Sequence, residues 1–249
     1  MVTLAPNLTE IVFALGAGGV LVGVSSHSDF PREALALPTV GGLTPDLERI
    51  VSLRPDLVLA TTEGNSRTTV ELLERQGIPV LTTSAPNLRG VLQSIRTIGS
   101  RLGRADRGKS LAESLERRLE AAEARSRGRA PVRAILLVWP SPPQAAGRGT
   151  FGADLLREAG GADCVDRPGW PVVSLEFLVT SACRAVVYPA EDATRTIFLK
   201  AFRAGPLSRM AAVREGRLIP VDADVLTRPG PRSLDALERL ASAFEKLGP

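Results

Sequence analysis

The chain has 249 residues, 44% of them hydrophobic, with 31 Lys+Arg against 27 Asp+Glu and a formal net charge of +4. That length fits more than one domain, and no stretch approaches the roughly 20 apolar residues of a membrane span. The basic residues are spread along the chain, the densest cluster (ERRLEAAEARSRGR) interleaves Glu with Arg like a solvated helix face, and aromatics make up only 4%, which argues against nucleic acid as a partner.

In chain order, Val2–Ala5 is a brief strand and TEIVFALGA a helix that Asn7 or Thr9 can cap and glycines end. No charged segment followed by an apolar one precedes this start, so the protein is either cytoplasmic or has lost a leader. LVGVSS reads as a strand, SDFPREALALPTVGG as a proline-punctuated connection, and DLERIVSL as a short amphipathic helix with Leu47, Ile50, Val51 and Leu53 on one side. DLVLATT is a continuous apolar strand of the kind buried on both faces. TTVELLERQG is a helix with a glycine stop, and IPVLTTS is a strand. Asn87 to about Arg127 is helical for most of its length; its second part, ADRGKSLAESLERRLEAAEARS, lacks a central proline and is rich in strong helix formers. After RGRAP a second alternating set begins. VRAILLVW is a strand, TFGADLLREAGGADCV a helix, and SLEFLVTSACRAVVY a helix and strand; TIFLKAFRAG, GRLIPVD and SLDALERLASAFEKLG follow as helix, strand and helix.

The expected fold is therefore α/β, with mainly parallel sheets in two halves joined by a long helix. The expected divisions are an N-terminal lobe over residues 1–103, a bridging helix over 104–128 and a C-terminal lobe over 129–249. DLERIVSLRPDLVLA and SLEFLVTSACRAVVY share the same helix–strand grammar at an offset of 174 − 46 = 128 residues, which places Glu48 and Glu176 at equivalent positions. The two cysteines, Cys164 and Cys183, lack paired metal-ligand spacing and read as small core residues, with a disulfide the other option.

Parallel sheets bind ligands at the loops after their strands. Here those loops are SSHSDFP, GGLTPD, TTEGN, WPSPPQ, RPGWP and DADVLTRPGPR. His27, the only histidine, can ligate a cobalt or iron centre through neutral imidazole, or stack and hydrogen-bond as a loop residue. Asp29 reads as a turn or cap residue. No G-x-S-x-G, P-loop or GxGxxG follows a strand, and the GAGG at 16–19 ends a helix instead of opening one. The enzymatic alternative is a chelatase-like protein using His27 with a carboxylate.

VTLAPNLTEIVFALGAGGVLVGVSSHSDFP, DLERIVSLRPDLVLA, GWPVVSLEFL and IPVDADVLTRPGPRSLDALERLA together resemble the helical-backbone substrate-binding proteins of ABC importers for cobalamin and iron complexes, with the cobalamin-binding branch the nearest match. The resemblance implies two Rossmann-like lobes bridged by a rigid helix, with a ligand cleft between the lobes. It also implies a monomeric, non-enzymatic carrier located in the periplasm or lipid-anchored outside the cell. Such a carrier has no cofactor of its own; it carries a corrinoid, or alternatively a siderophore or haem, to a two-subunit permease and, indirectly, its ATPase. Glu48 and Glu176 would dock on that permease. Trp170, Asp224 and Arg228 match ligand-contacting positions, or else serve as a lobe lid and a local ion pair. Where the cobalamin branch lines its cleft with aromatics, this chain carries Gly42 or Leu43, Thr62 and Gln144.

Overall fold

The computed structural model describes residues 1–248, with Asp192, Ala193 and Thr227 described by backbone alone; Pro249, the end of the expected C-terminal lobe, lies outside the described residues. The chain divides into two units: Met1–Glu116 with Arg228–Pro231, and Arg117–Thr227 with the stretch from Arg232 onward.

The first unit begins with β1 (Val2–Thr3), α1 (Pro6–Ala14), β2 (Gly23–Val24), α2 (Leu47–Ser52) and β3 (Val58–Thr61). It continues with α3 (Arg67–Arg75), β4 (Val80–Thr83), α4 (Leu88–Arg101) and the start of α5 (Ala105–Ser126), inside which the boundary between units falls. The sheet order is β2-β1-β3-β4 and every pairing is parallel. All of β3 is buried, as its unbroken apolar run requires. Val2, Leu4, Val40, Ile50, Val58 and Leu73 form the core beside it. Burying each such side chain stabilises the fold by about 1.5–3 kcal/mol. Helices α4 and α5 meet where both lack a side chain: a Cβ on Gly99 would stand 2.9 Å from the Gly108 Cα.

The second unit holds β5 (Val132–Pro140), β6 (Pro143–Ala145), α6 (Phe151–Glu158), β7 (Gly161–Asp163), α7 (Leu175–Thr180) and β8 (Ala185–Pro189). After these come α8 (Asp192–Ala204), α9 (Ala211–Arg214), β9 (Leu218–Val221), α10 (Ala223–Thr227) and α11 (Ser233–Leu247). Strands β7, β5, β8 and β9 run parallel in that order, and β6 folds back antiparallel on the far end of β5. The order β7-β5-β8-β9 therefore repeats β2-β1-β3-β4. Tyr188, Phe198 and Phe202 pack as an aromatic cluster with centroids 5.1 to 5.7 Å apart.

Several local expectations are corrected. Neither Asn7 nor Thr9 caps α1: Ala5 occupies the N-cap and Pro6 the first turn, where a missing N–H costs nothing. Asn7 Nδ2 instead donates to the Pro229 carbonyl at 3.2 Å, and the Thr9 hydroxyl joins those of Thr3 and Ser28. The LVGVSS strand shrinks to Gly23–Val24. A short strand, β7, emerges where one continuous helix is expected, and ADVLT, residues 223–227, is helical, not a loop. Cys164 and Cys183 are both buried, as core residues should be, but they are also joined in a disulfide.

Candidate functional site

Because the strands β2-β1-β3-β4 and β7-β5-β8-β9 are parallel within each set, the loops after them emerge on one edge. In the first unit that edge carries His27 and Asp29 after β2 and Thr62 after β3. His27 is exposed, and its ring lies over Gly42, where a Cβ would be 3.3 Å from Nε2. No hydrogen bond or ion pair engages His27 among the described residues. Beside it, Leu43 is 80% exposed, in a tight loop where Gly41 has φ +90°. That conformation favours glycine.

Thr62 is held by a neighbour the sequence did not single out. Its hydroxyl donates to Glu63 Oε1 at 2.8 Å; the Ser84 hydroxyl and the Ala85 N–H donate to the same oxygen at 2.7 and 3.0 Å, and the Thr61 hydroxyl donates to Oε2. Burial pushes the Glu63 carboxyl up, but the hydrogen bonds from Thr61, Ser84 and Thr62 outweigh it and hold it below the usual carboxylate range. Glu63 thereby ties the loops after β3 and β4 together.

Arg228 belongs to the first unit although it comes late in the chain. Its Nη1 donates to Asp29 Oδ1 at 2.7 Å, so Asp29 is an ion-pair partner and not merely a turn residue. The neighbouring Pro229 carbonyl is held by Asn7, and a Cβ on Gly230 would lie 3.2 Å from Glu10 Oε1.

In the second unit, Trp139 ends the apolar run of β5 and pairs across the β5–β6 hairpin with Gln144. Gln144 Nε2 donates to the Trp170 carbonyl at 3.0 Å. The Trp170 ring lies against Gly152, whose absent Cβ would be 3.5 Å from it. Trp139 and Trp170 are 42% and 39% exposed. Trp139 is the residue the sequence reading missed: a large aromatic ending an apolar strand, just before a proline, was its available signal. Asp224 sits on α10, 3.9 Å from Arg232 Nη2. Glu191, Asp222 and Asp224 each bring a carboxylate oxygen within 4.8 Å of the others, an oxygen set suited to a hard cation. His27 has no place in that group.

Glu48 and Glu176 stand on matched supports. Helices α2 and α7 each have 6 residues, capped by Asp46, which accepts from Arg49 N, and by Ser174, which accepts from Phe177 N. The glutamates are the second helical residue of each, and Ile50 and Leu178 are the buried ones. Each helix leads into the equivalent strand, β3 or β8. Both glutamates are exposed, and neither makes an ion pair among the described residues. A carboxylate in the first turn also meets the positive end of its helix.

The profile of the family described as periplasmic binding protein matches residues 1–225. The chain is 30% identical to an uncharacterized ABC transporter substrate-binding lipoprotein, YvrC, of Bacillus subtilis, over 98% of this chain and 79% of that one. It is 27% identical to the vitamin B12-binding protein of Vibrio cholerae, over 97% of this chain and 87% of that one. Among solved structures, the periplasmic heme-binding protein RhuT from Roseiflexus sp. RS-1 superposes with a TM-score of 0.89 at 28% identity, covering 99% and 97% of the two chains.

Proposed function

This chain belongs to the periplasmic binding protein family, and from that premise we propose that it captures a corrinoid outside the cytoplasm and delivers it to an ABC permease. At the coarser level it is an ABC-importer substrate-binding protein, a carrier and not an enzyme, so the chelatase alternative falls away. The observation that carries the delivery reading is the repeated helix, which presents one exposed, capped glutamate on each of two identically ordered sheets. A carboxylate offered to a guanidinium forms a charge-assisted, often bidentate pair. Two such anchors would register the carrier on a partner with two equivalent subunits.

The corrinoid reading is supported by the exposed tryptophans joined through Gln144 and by the vitamin B12-binding relative. The proposed ligand contacts are His27, Leu43, Thr62, Gln144, Trp170, Asp224 and Arg228, to which Trp139 is now added. Haem is the second reading, favoured by the unengaged imidazole of His27 and by the heme-binding structural neighbour. A neutral imidazole suits either iron or cobalt. No helix of the described residues is long and apolar enough to cross a membrane. The proposed location is the periplasm or the outer face of the cytoplasmic membrane through a lipid anchor.

The test is titration with cyanocobalamin and with hemin, read by tryptophan quenching and visible absorbance. One cyanocobalamin bound per chain supports the first reading. A hemin complex whose Soret band changes in His27→Ala, without cyanocobalamin binding, would replace it with the second. Binding of neither would direct the search to siderophores.

A further inference from the structure

The two glutamate-bearing helices are matched in backbone but not in surroundings. In α2, Leu47 packs against the core of its unit and the residue after Glu48 is the exposed cation Arg49. In α7 the equivalent leucine, Leu175, is 40% exposed, and Phe177 replaces the arginine. One helical turn beyond Leu175, Val179 is 37% exposed.

Leu175 and Val179 do not face open water alone. They line an open depression of about 560 Å³ whose other side is the chain from Ala204 to Arg209. That side is firmly built. Leu207 is 1% exposed and pins the 3-10 turn Pro206–Arg209 to the core. Gly205 permits the tight exit from α8, since a Cβ there would meet the Ala201 carbonyl oxygen at 2.7 Å. Glu176 stands on the α7 side of the depression and Arg209 on the other. Neither side chain makes an ion pair among the described residues. An apolar recess between an unpaired anion and an unpaired cation is a surface in want of a complementary one.

We propose that this depression is a docking seat for a segment of the permease that presents an apolar side chain between a basic and an acidic one. The basic group pairs with Glu176, the apolar side chain covers Leu175 and Val179, and the acidic group meets Arg209. This rests on the reading of Glu176 as a permease anchor and adds to it an apolar contact and a polarity. The second unit's face then holds the partner partly by burial, which added salt does not screen. The Glu48 face, with a cation beside its glutamate, contributes mainly charge, which salt screens strongly.

The experiment uses the full chain and its cognate permease–ATPase complex in lipid nanodiscs, with docking measured at low and high salt. Leu175→Ser and Val179→Ser should each weaken docking roughly tenfold, the scale of truncating a well-buried interface side chain. That loss should persist at high salt, with folding and cargo titration unchanged. Val51→Ser, at the position equivalent to Val179 on α2, should leave docking as it was. Should a serine variant fold poorly, Arg209→Glu tests the same seat by reversing its charge, and is expected to weaken docking at low salt. If Glu176→Arg abolishes docking while the Leu175, Val179 and Arg209 variants dock normally, the seat is refuted and the anchor reading stands. If Glu48→Arg and Glu176→Arg together leave docking intact, the anchor reading fails and the seat with it.

Discussion

Arg228 donates through Nη1 to Asp29 Oδ1 at 2.7 Å, joining residues 199 apart in sequence within the first unit. The Arg228 side chain is 20% exposed and that of Asp29 48%, so the pair is partly shielded from solvent. Asn7 also donates to the carbonyl of the next residue, Pro229, so the Arg228–Pro231 stretch is tied to the first unit at two successive residues, with Glu10 lying close to Gly230. Arg228→Ala should lower stability by about 1 kcal/mol, the upper part of the range for a partly exposed ion pair. The same variant should bind cargo more weakly if Arg228 contacts it. Asp29→Asn separates the two effects, since it removes the ion pair with Asp29 while keeping the guanidinium. Chemical denaturation and cargo titration of both variants check this; equal affinity in wild type and Arg228→Ala would remove Arg228 from the site.

Trp139 and Trp170 are the only tryptophans in the chain, and both lie exposed beside Gln144. Intrinsic tryptophan fluorescence therefore reports on this surface alone. Each Trp→Ala change should weaken cargo binding by about 1–3 kcal/mol, the scale for loss of one aromatic stacking platform. Trp170→Ala should also lower stability by about 1–2 kcal/mol, because the ring covers Gly152 and most of its surface is out of water. Quenching that survives in full in both single variants would place the cargo elsewhere.

What the sequence made legible follows physical range. The α2–β3 and α7–β8 repeats are readable because a capped amphipathic helix followed by an unbroken apolar strand is a local pattern. Offset arithmetic carries it further: Asp46, Glu48, Ile50 and Val58 map onto Ser174, Glu176, Leu178 and Val186, each 128 residues on. The Arg228–Asp29 pair was not readable, because no local signal links positions so far apart. Helix α10 was hidden by its flanks: a five-residue segment, Ala223–Thr227, set between Asp222 and Arg228 with the Pro229–Pro231 stretch close behind, looks like a loop. Strand β7 was hidden inside a stretch read as one continuous helix, where Gly160 ends the helix and Gly161 opens the strand; its pairing with β5, Val132 to Gly161, is what makes it a strand. Glu63 was missed because its importance is a matter of donors converging from two loops, not of residue type.

The Cys164–Cys183 bond spans 19 residues and joins the end of β7 to the chain just before β8. Closing a loop of that size lowers the entropy of the unfolded chain, worth about 3 kcal/mol. Such a bond persists in an oxidising compartment, which accords with the location proposed above. Cys164→Ser with Cys183→Ser should therefore destabilise the protein by about 2–4 kcal/mol. Wild type in strong reductant should fall to match the double variant. Free-thiol titration of the unfolded, unreduced protein checks the pairing itself; two reactive thiols would refute it.

One residue before Cys164, Asp163 is an acid in an unfavourable place. Its Oδ2 is buried with no hydrogen-bond partner among the described residues, while Oδ1 accepts from the Val165 N–H at 3.0 Å. Burial pushes its pKa up to about 6, against the opposing hydrogen bonds from Val165 and Cys164 N–H. An acid whose folded pKa lies above its unfolded value binds its proton more tightly when folded. The fold is then relatively favoured below the unfolded pKa of 3.8, and loses that advantage as pH rises to about 6. Asp163→Asn keeps the shape and removes the charge, so it should stabilise the protein at pH 7 by about 1 kcal/mol, after allowance for partial solvent screening. The gain should shrink as pH falls through 6 and vanish below 4. Urea unfolding of wild type and Asp163→Asn across that range checks this. A difference between the two that stays constant with pH would mean that the aspartate pays no charge penalty in the fold.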